Sequence, residues 1–68
     1  MSVARVTEIS STSSKSFEDA VREGIDRATK TLRGVQGAWI KDQSIAIEGG
    51  KITSFRVNML ITFVLEGT

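Results

Sequence analysis

The chain is predicted to fold as an α+β protein of order β-α-β-β, with a three-stranded antiparallel sheet and the helix across one face. Three observations predict this. One segment, about residues 14–33, repeats its apolar residues at helical spacing. Two long β-branched runs follow it, joined by Gly49-Gly50. A shorter run of the same kind precedes it. At 68 residues a single domain, 1–68, is expected.

The first strand is read at Val3–Ile9, and the Ser10-Ser11-Thr12-Ser13-Ser14 cluster after it as a turn and helix cap. In the helix Phe17, Ala20, Val21, Ile25, Ala28 and Leu32 fall on one stripe. Ser13 or Ser14 is a candidate cap, and Ser16 with Asp19 resembles a capping box one turn later. Glu18–Arg22, Glu23–Arg27 and Asp26–Lys30 are acid-first pairs at i,i+4, each contributing about 0.2–0.5 kcal/mol. Gly34 is a natural terminator. Gly24 lies near the apolar stripe, where it costs about 1 kcal/mol relative to Ala. A close approach of the helix to the sheet would account for it.

The remaining strands are read at Ala38–Ile47 and Ile52–Leu65, closed by a two-residue turn with positive φ at both glycines. That turn makes opposed residues sum to 99. Phe55, Val57, Met59, Ile61, Phe63 and Leu65 then face the helix with Ile40 and Ala46, a set that Asp42 and Ser44 fit poorly. The opposite face carries Trp39, Lys41, Gln43, Ile45 and Ile47 against Leu60, Asn58, Arg56, Ser54 and Ile52, with Gln43 directly across from Arg56. A register slip or a bulge would exchange the faces.

Composition excludes much chemistry. The chain has no Cys and no His. Within one chain it therefore cannot build a Ser–His–Asp triad, a thiolate nucleophile, a thiolate zinc site or an imidazole acid–base. No carboxylate or lysine motif replaces them, so an enzyme is not expected. The net charge is +1 with the basic residues interspersed among acids, which argues against a nucleic-acid or membrane surface. The N-terminus has no apolar leader core, and a cytoplasmic protein is expected. Folding at this size buries only about 60% of the unfolded chain's surface. With disulfides and thiolate zinc unavailable, self-association is the expected remedy.

The order and spacing of Thr12-Ser13, Phe17, Ala20, Ile25, Ala28, Thr31-Leu32, Asp42-Gln43 and Phe63-Val64-Leu65-Glu66-Gly67 resemble the dodecin family over nearly the whole chain. The resemblance implies a sheet that partly wraps its helix and a hollow homododecamer of cubic symmetry. It implies a role in binding and storing flavin (riboflavin or FMN) and in protection from light. In the family two flavins stack between Trp residues of symmetry-related chains, and a Gln bonds the flavin edge. Some bacterial members also bind coenzyme A. Alignment puts the stacking Trp at Gly37 and the Gln at Arg56. This sequence departs at both. Trp39, two residues on, points to the same side of its strand as position 37, displaced by about 6.6 Å. Gly50-Lys51-Ile52-Thr53 followed by Arg56 is similar to a branch described as calcium-binding.

The candidate binding residues are therefore Trp39, Gln43, Arg56 and Gly37. An indole offers a ring platform, a guanidinium binds phosphate or stacks, and an amide reads a donor–acceptor edge. The alternatives are structural: Trp39 as a subunit-contact anchor, Arg56 as an interchain ion-pair partner, Gln43 as one half of a polar cross-strand pair. The strand-associated carboxylates Glu8, Asp42, Glu48 and Glu66 form no calcium-loop pattern, although symmetry axes can gather copies of one of them. The functional expectations are a flavin-holding shell, or a shell of the same architecture that is structural or binds a divalent cation such as calcium.

Overall fold

The computed structural model describes residues 3–65. Strand β1 (Ala4–Ser13) is followed by helix α1 (Phe17–Thr31), then β2 (Val35–Glu48) and β3 (Lys51–Val64). The sheet is antiparallel with order β1-β3-β2, which confirms the predicted architecture and places β3 in the middle. Glu66 and Gly67, which enter the resemblance and the carboxylate set, lie outside the described residues.

β1 runs four residues beyond its predicted end. Ser10 to Ser13 form strand rather than turn because β3 offers them paired backbone. Ser10 pairs with Asn58, Ser11 with Val57, Thr12 with Arg56 and Ser13 with Phe55. The turn itself is tied by Ser13, whose hydroxyl accepts from the Lys15 amide at 2.9 Å and donates to the Asp19 carboxylate at 2.6 Å. The helix accordingly starts at Phe17. Ser16 caps it, accepting from the Asp19 amide at 3.0 Å. It ends at Thr31, two residues before the expected limit, with Leu32 as C-cap. Gly34 follows at φ +72° and its carbonyl accepts from the Val64 amide at 3.0 Å. A Cβ there would lie 2.8 Å from the Val64 carbonyl oxygen, so glycine is required twice over. Two of the three expected helix pairs form, Glu18–Arg22 at 2.9 Å and Asp26–Lys30 at 3.4 Å, and both are exposed.

The core lies between α1 and the β1–β3 part of the sheet. Ala20, Ala28, Val57, Met59 and Ile61 are buried, flanked by Ile9, Phe17, Val21, Ile25, Leu32 and Val35. Phe17 meets Phe55 edge to face, with centroids 5.1 Å apart. Gly24 is the point of closest approach: a Cβ there would sit 2.5 Å from Met59 Cε and 3.0 Å from Ser11 Cβ. The helix touches β1 and β3 and barely reaches β2, whose far half extends past it.

The hairpin turn has the predicted geometry, with φ of +59° at Gly49 and +78° at Gly50. Glu48 pairs with Lys51 and Ile47 with Ile52, as the two-residue turn dictates. Beyond that the register departs from the prediction. An irregularity between Ala46 and Ile47 leaves Thr53 extra on β3, so that Ala46 meets Ser54, Ser44 meets Arg56 and Asp42 meets Asn58. A second one between Ile40 and Asp42 leaves Lys41 extra on β2 and restores Ile40 to Met59 and Trp39 to Leu60. Between the two bulges every β2 side chain has changed face. Asp42, Ser44 and Ala46 lie on the face away from the helix. Gln43 and Ile45 lie on the helix side, opposite Val57 and Phe55. This corrects the expectation that Gln43 stands across from Arg56 and that Ala46 joins the helix-facing set. It also removes the misfit of Asp42 and Ser44, which reach solvent instead of an apolar face.

Candidate functional site: the uncovered face of the sheet

The alternation of β3 separates the two faces. Val57, Met59 and Ile61 are fully buried under the helix. Thr62, Leu60, Asn58 and Arg56 therefore point the other way. Pairing across the three strands then builds four rows on the uncovered face. They run Val6–Thr62–Gly37, Glu8–Leu60–Trp39, Ser10–Asn58–Asp42 and Thr12–Arg56–Ser44.

The apolar end of this face is its first two rows. Trp39 is 64% exposed and Val6 50%, with the half-buried Leu60 beside the indole. Gly37, one row away, has open space above it: a Cβ added there meets nothing within 4 Å. An indole face with an unfilled neighbouring position is a platform on which a planar ring can lie.

The polar end has a defined hydrogen-bond order. Asn58 Nδ2 donates to Asp42 Oδ1. Lys41, set free from the ladder by its bulge, reaches over β3 to the Glu8 carboxylate at 3.3 Å. Arg56 is exposed on the central strand between Thr12 and Ser44. Among the described residues it takes part in no side-chain hydrogen bond and no ion pair; the pairs that form use Arg22, Lys30 and Lys41.

Of the four residues singled out by sequence, Trp39, Gly37 and Arg56 share this face and Gln43 does not. Thr12, Ser44 and Asn58 were not among the candidate binding residues, and Asp42 was considered only as a metal-binding carboxylate; the regular register sends Asp42 and Ser44 to the other side. The poor fit of two polar residues to an apolar face was the available signal of a bulge. Among the described residues no group of three or more acidic side chains is placed to hold a metal ion. A separate open cleft of about 490 Å³ runs along the free edge of β1 beside the helix, lined by Thr7, Ser11, Glu23, Gly24, Arg27 and Thr31 among others. No helix among the described residues is long and apolar enough to cross a membrane.

Fold and face define a class: a small β-α-β-β subunit whose sheet is covered by a helix on one side and presents an indole platform on the other. The dodecin family profile matches residues 3–66, and the chain belongs to that family. It is 34% identical over 67 residues to calcium dodecin of Mycobacterium tuberculosis, covering 97% of this chain and 93% of that protein. The structure is similar to that of dodecin from Streptomyces coelicolor, with a TM-score of 0.92, 31% identity, and 98% and 96% of the two chains covered. It is also similar to the calcium-chelating calcium dodecin structure from M. tuberculosis, with a TM-score of 0.81, 28% identity, and 97% and 94% covered.

Proposed function

We propose that the protein is a subunit of a homo-oligomeric dodecin shell, a homododecamer, that binds and sequesters flavin, riboflavin or FMN, on the Trp39 face. The observation that carries this reading is the exposed indole of Trp39 beside the open position at Gly37, on a face that one helix cannot cover. Gly37 stands where the resemblance puts the family's stacking Trp, so Trp39 supplies the platform from the next row. The lack of His and Cys supports a binding role over a catalytic one. The test is a titration of riboflavin and FMN followed by flavin fluorescence. Saturable quenching is expected, and Trp39→Ala weakens binding about tenfold or more, since base–aromatic stacking contributes about 1–3 kcal/mol. Gly37→Trp is expected to tighten it, because the added ring enters open space. Absence of quenching by either flavin at micromolar protein overturns the reading.

A second reading, a shell that binds a divalent cation, is supported by the likeness to calcium dodecin. With no acidic cluster among the described residues of one subunit, such a site draws on carboxylates such as Glu8 or Asp42 from neighbouring copies. Calcium calorimetry on the metal-stripped protein checks it, and a flat titration rejects it.

A further inference from the structure

The turn end of the hairpin has less support than the rest of the sheet. β1 pairs with β3 only as far as Phe55, so the stretch from Lys51 to Ser54 has β2 alone for a neighbour. β2 spans 14 residues, about 46 Å, and α1 15 residues, about 22 Å. The hairpin end is thus a two-stranded ribbon that outruns both β1 and the helix. Such a ribbon is at best marginally stable in water until something packs on its apolar side chains. Here those are Ile45, Ile47 and Ile52, all exposed. Next to the turn Glu48 is paired with Lys51 across the strands, yet among the described residues neither takes part in an ion pair.

A matching surface lies elsewhere on the same subunit. The cleft along the free edge of β1 is lined by the apolar Ile9, Ala28 and Leu32, with Glu23 and Arg27 on the helix side. The ladder of β1 to β3 runs through ten residues without an irregularity, and its other edge has no strand among the described residues. A regular, open edge of this kind is one that folded proteins cover. Glu23 and Arg27 stand one turn apart at ion-pair spacing, and they too form no ion pair among the described residues.

We propose that this cleft receives the hairpin end of a second copy of the chain, with Ile47 and Ile52 entering between α1 and the β1 edge, Arg27 pairing with Glu48 and Glu23 with Lys51. Charge complementarity carries the choice of occupant. Each surface holds one acid and one base about 5–6 Å apart, so a single orientation satisfies both pairs. The isoleucines of the one surface meet the apolar lining of the other. Cleft and hairpin end are different surfaces, so the contact is heterologous, and successive copies close into a ring where the rotation closes. The proposal rests on the self-association reading and adds to it which surfaces meet. It is independent of the Trp39 face and of any ligand there.

The experiment follows particle size by light scattering over a range of concentrations for the full-length wild type, Arg27→Glu, Glu48→Arg and the two combined. Each single reversal sets like charges against each other. It is expected to raise the concentration needed for half assembly by about tenfold or more. The combined variant restores the complement and is expected to assemble within about threefold of wild type. That restoration also excludes misfolding as the cause of the single effects. Single reversals that assemble like wild type overturn the contact, leave the shell reading standing and leave the cleft to a different partner. A combined variant no better than either single one overturns the pairing, and the proposal with it. A wild type that stays at 7.4 kDa overturns the self-association reading itself, and the contact falls with it.

Discussion

Gly24 shows how one residue sets the distance between helix and sheet. On the helix alone it is a defect of about 1 kcal/mol relative to Ala. In the fold, a Cβ at this position would run into Met59 Cε and Ser11 Cβ, and Met59 is fully buried. The methionine fills the volume that the glycine leaves, so the helix lies close on β1 and β3. Gly24→Val is therefore expected to destabilise the protein by about 1–3 kcal/mol through overpacking. Chemical denaturation of the variant against wild type measures this, and an unchanged midpoint would show that the approach is looser than the structure indicates. Trp39, by contrast, contributes little to the single subunit. It is 64% exposed, so its replacement is expected to move ligand binding or self-association far more than the folding of one chain.

Among the elements, β2 departs most from the regular pattern. Two of its three irregularities lie on either side of the stretch from Asp42 to Ala46 and reverse that stretch against its neighbours; the third lies between Val35 and Gly37. Lys41 is the extra residue at one of the first two, and its side chain's only tie among the described residues is an exposed ion pair with Glu8. Deleting Lys41 leaves Ile40 and Asp42 adjacent with their partners Met59 and Asn58 unchanged. The variant is expected to keep the fold and lose no more than about 1 kcal/mol, the range of an exposed pair. Deleting Gln43 instead moves Asp42 out of phase with Asn58 and turns side chains to the wrong face. Thermal melts followed by circular dichroism distinguish the two deletions, and equal losses would contradict this account of the bulge. At the other end of the hairpin, the glycine turn behaved as its sequence required. The Ser10–Thr12 stretch did not, because serines and threonines that favour turns in isolation were recruited by the free edge of β3.

The whole molecule is elongated, with extents of 53 × 19 × 13 Å. Its radius of gyration is 14.1 Å, where a compact chain of this length is expected near 11 Å. The hairpin runs past the helix and leaves Ile45, Ile47 and Ile52 from 42% to 60% exposed, with Trp39 and Ile40 of β2 exposed as well. Apolar surface of this extent on a chain without disulfides marks an interaction site. The expected outcome in light scattering is a particle of twelve copies of the 7.4 kDa chain. A 7.4 kDa species at micromolar concentration would remove the shell and any site built between its subunits.

By itself the sequence determined the element order, the turn at Gly49-Gly50, the helical stripe and the helix-facing side of β3. Each of these rests on periodicity or on a local backbone requirement, and both are written in neighbouring residues. It also carried the resemblance that placed the chain among dodecins. Tertiary structure alone decided where β1 ends, where β2 slips, and hence which polar side chains stand beside Arg56. A bulge changes the phase of an alternation without changing its period. Whether Asp42 or Gln43 joins Asn58 depends on how a twisted β2 is held against β3, and that balance is set by pairing across strands, not along them. The face that carries Trp39 and Gly37 was legible in advance; the row Thr12–Arg56–Ser44 became visible only once the strands were paired.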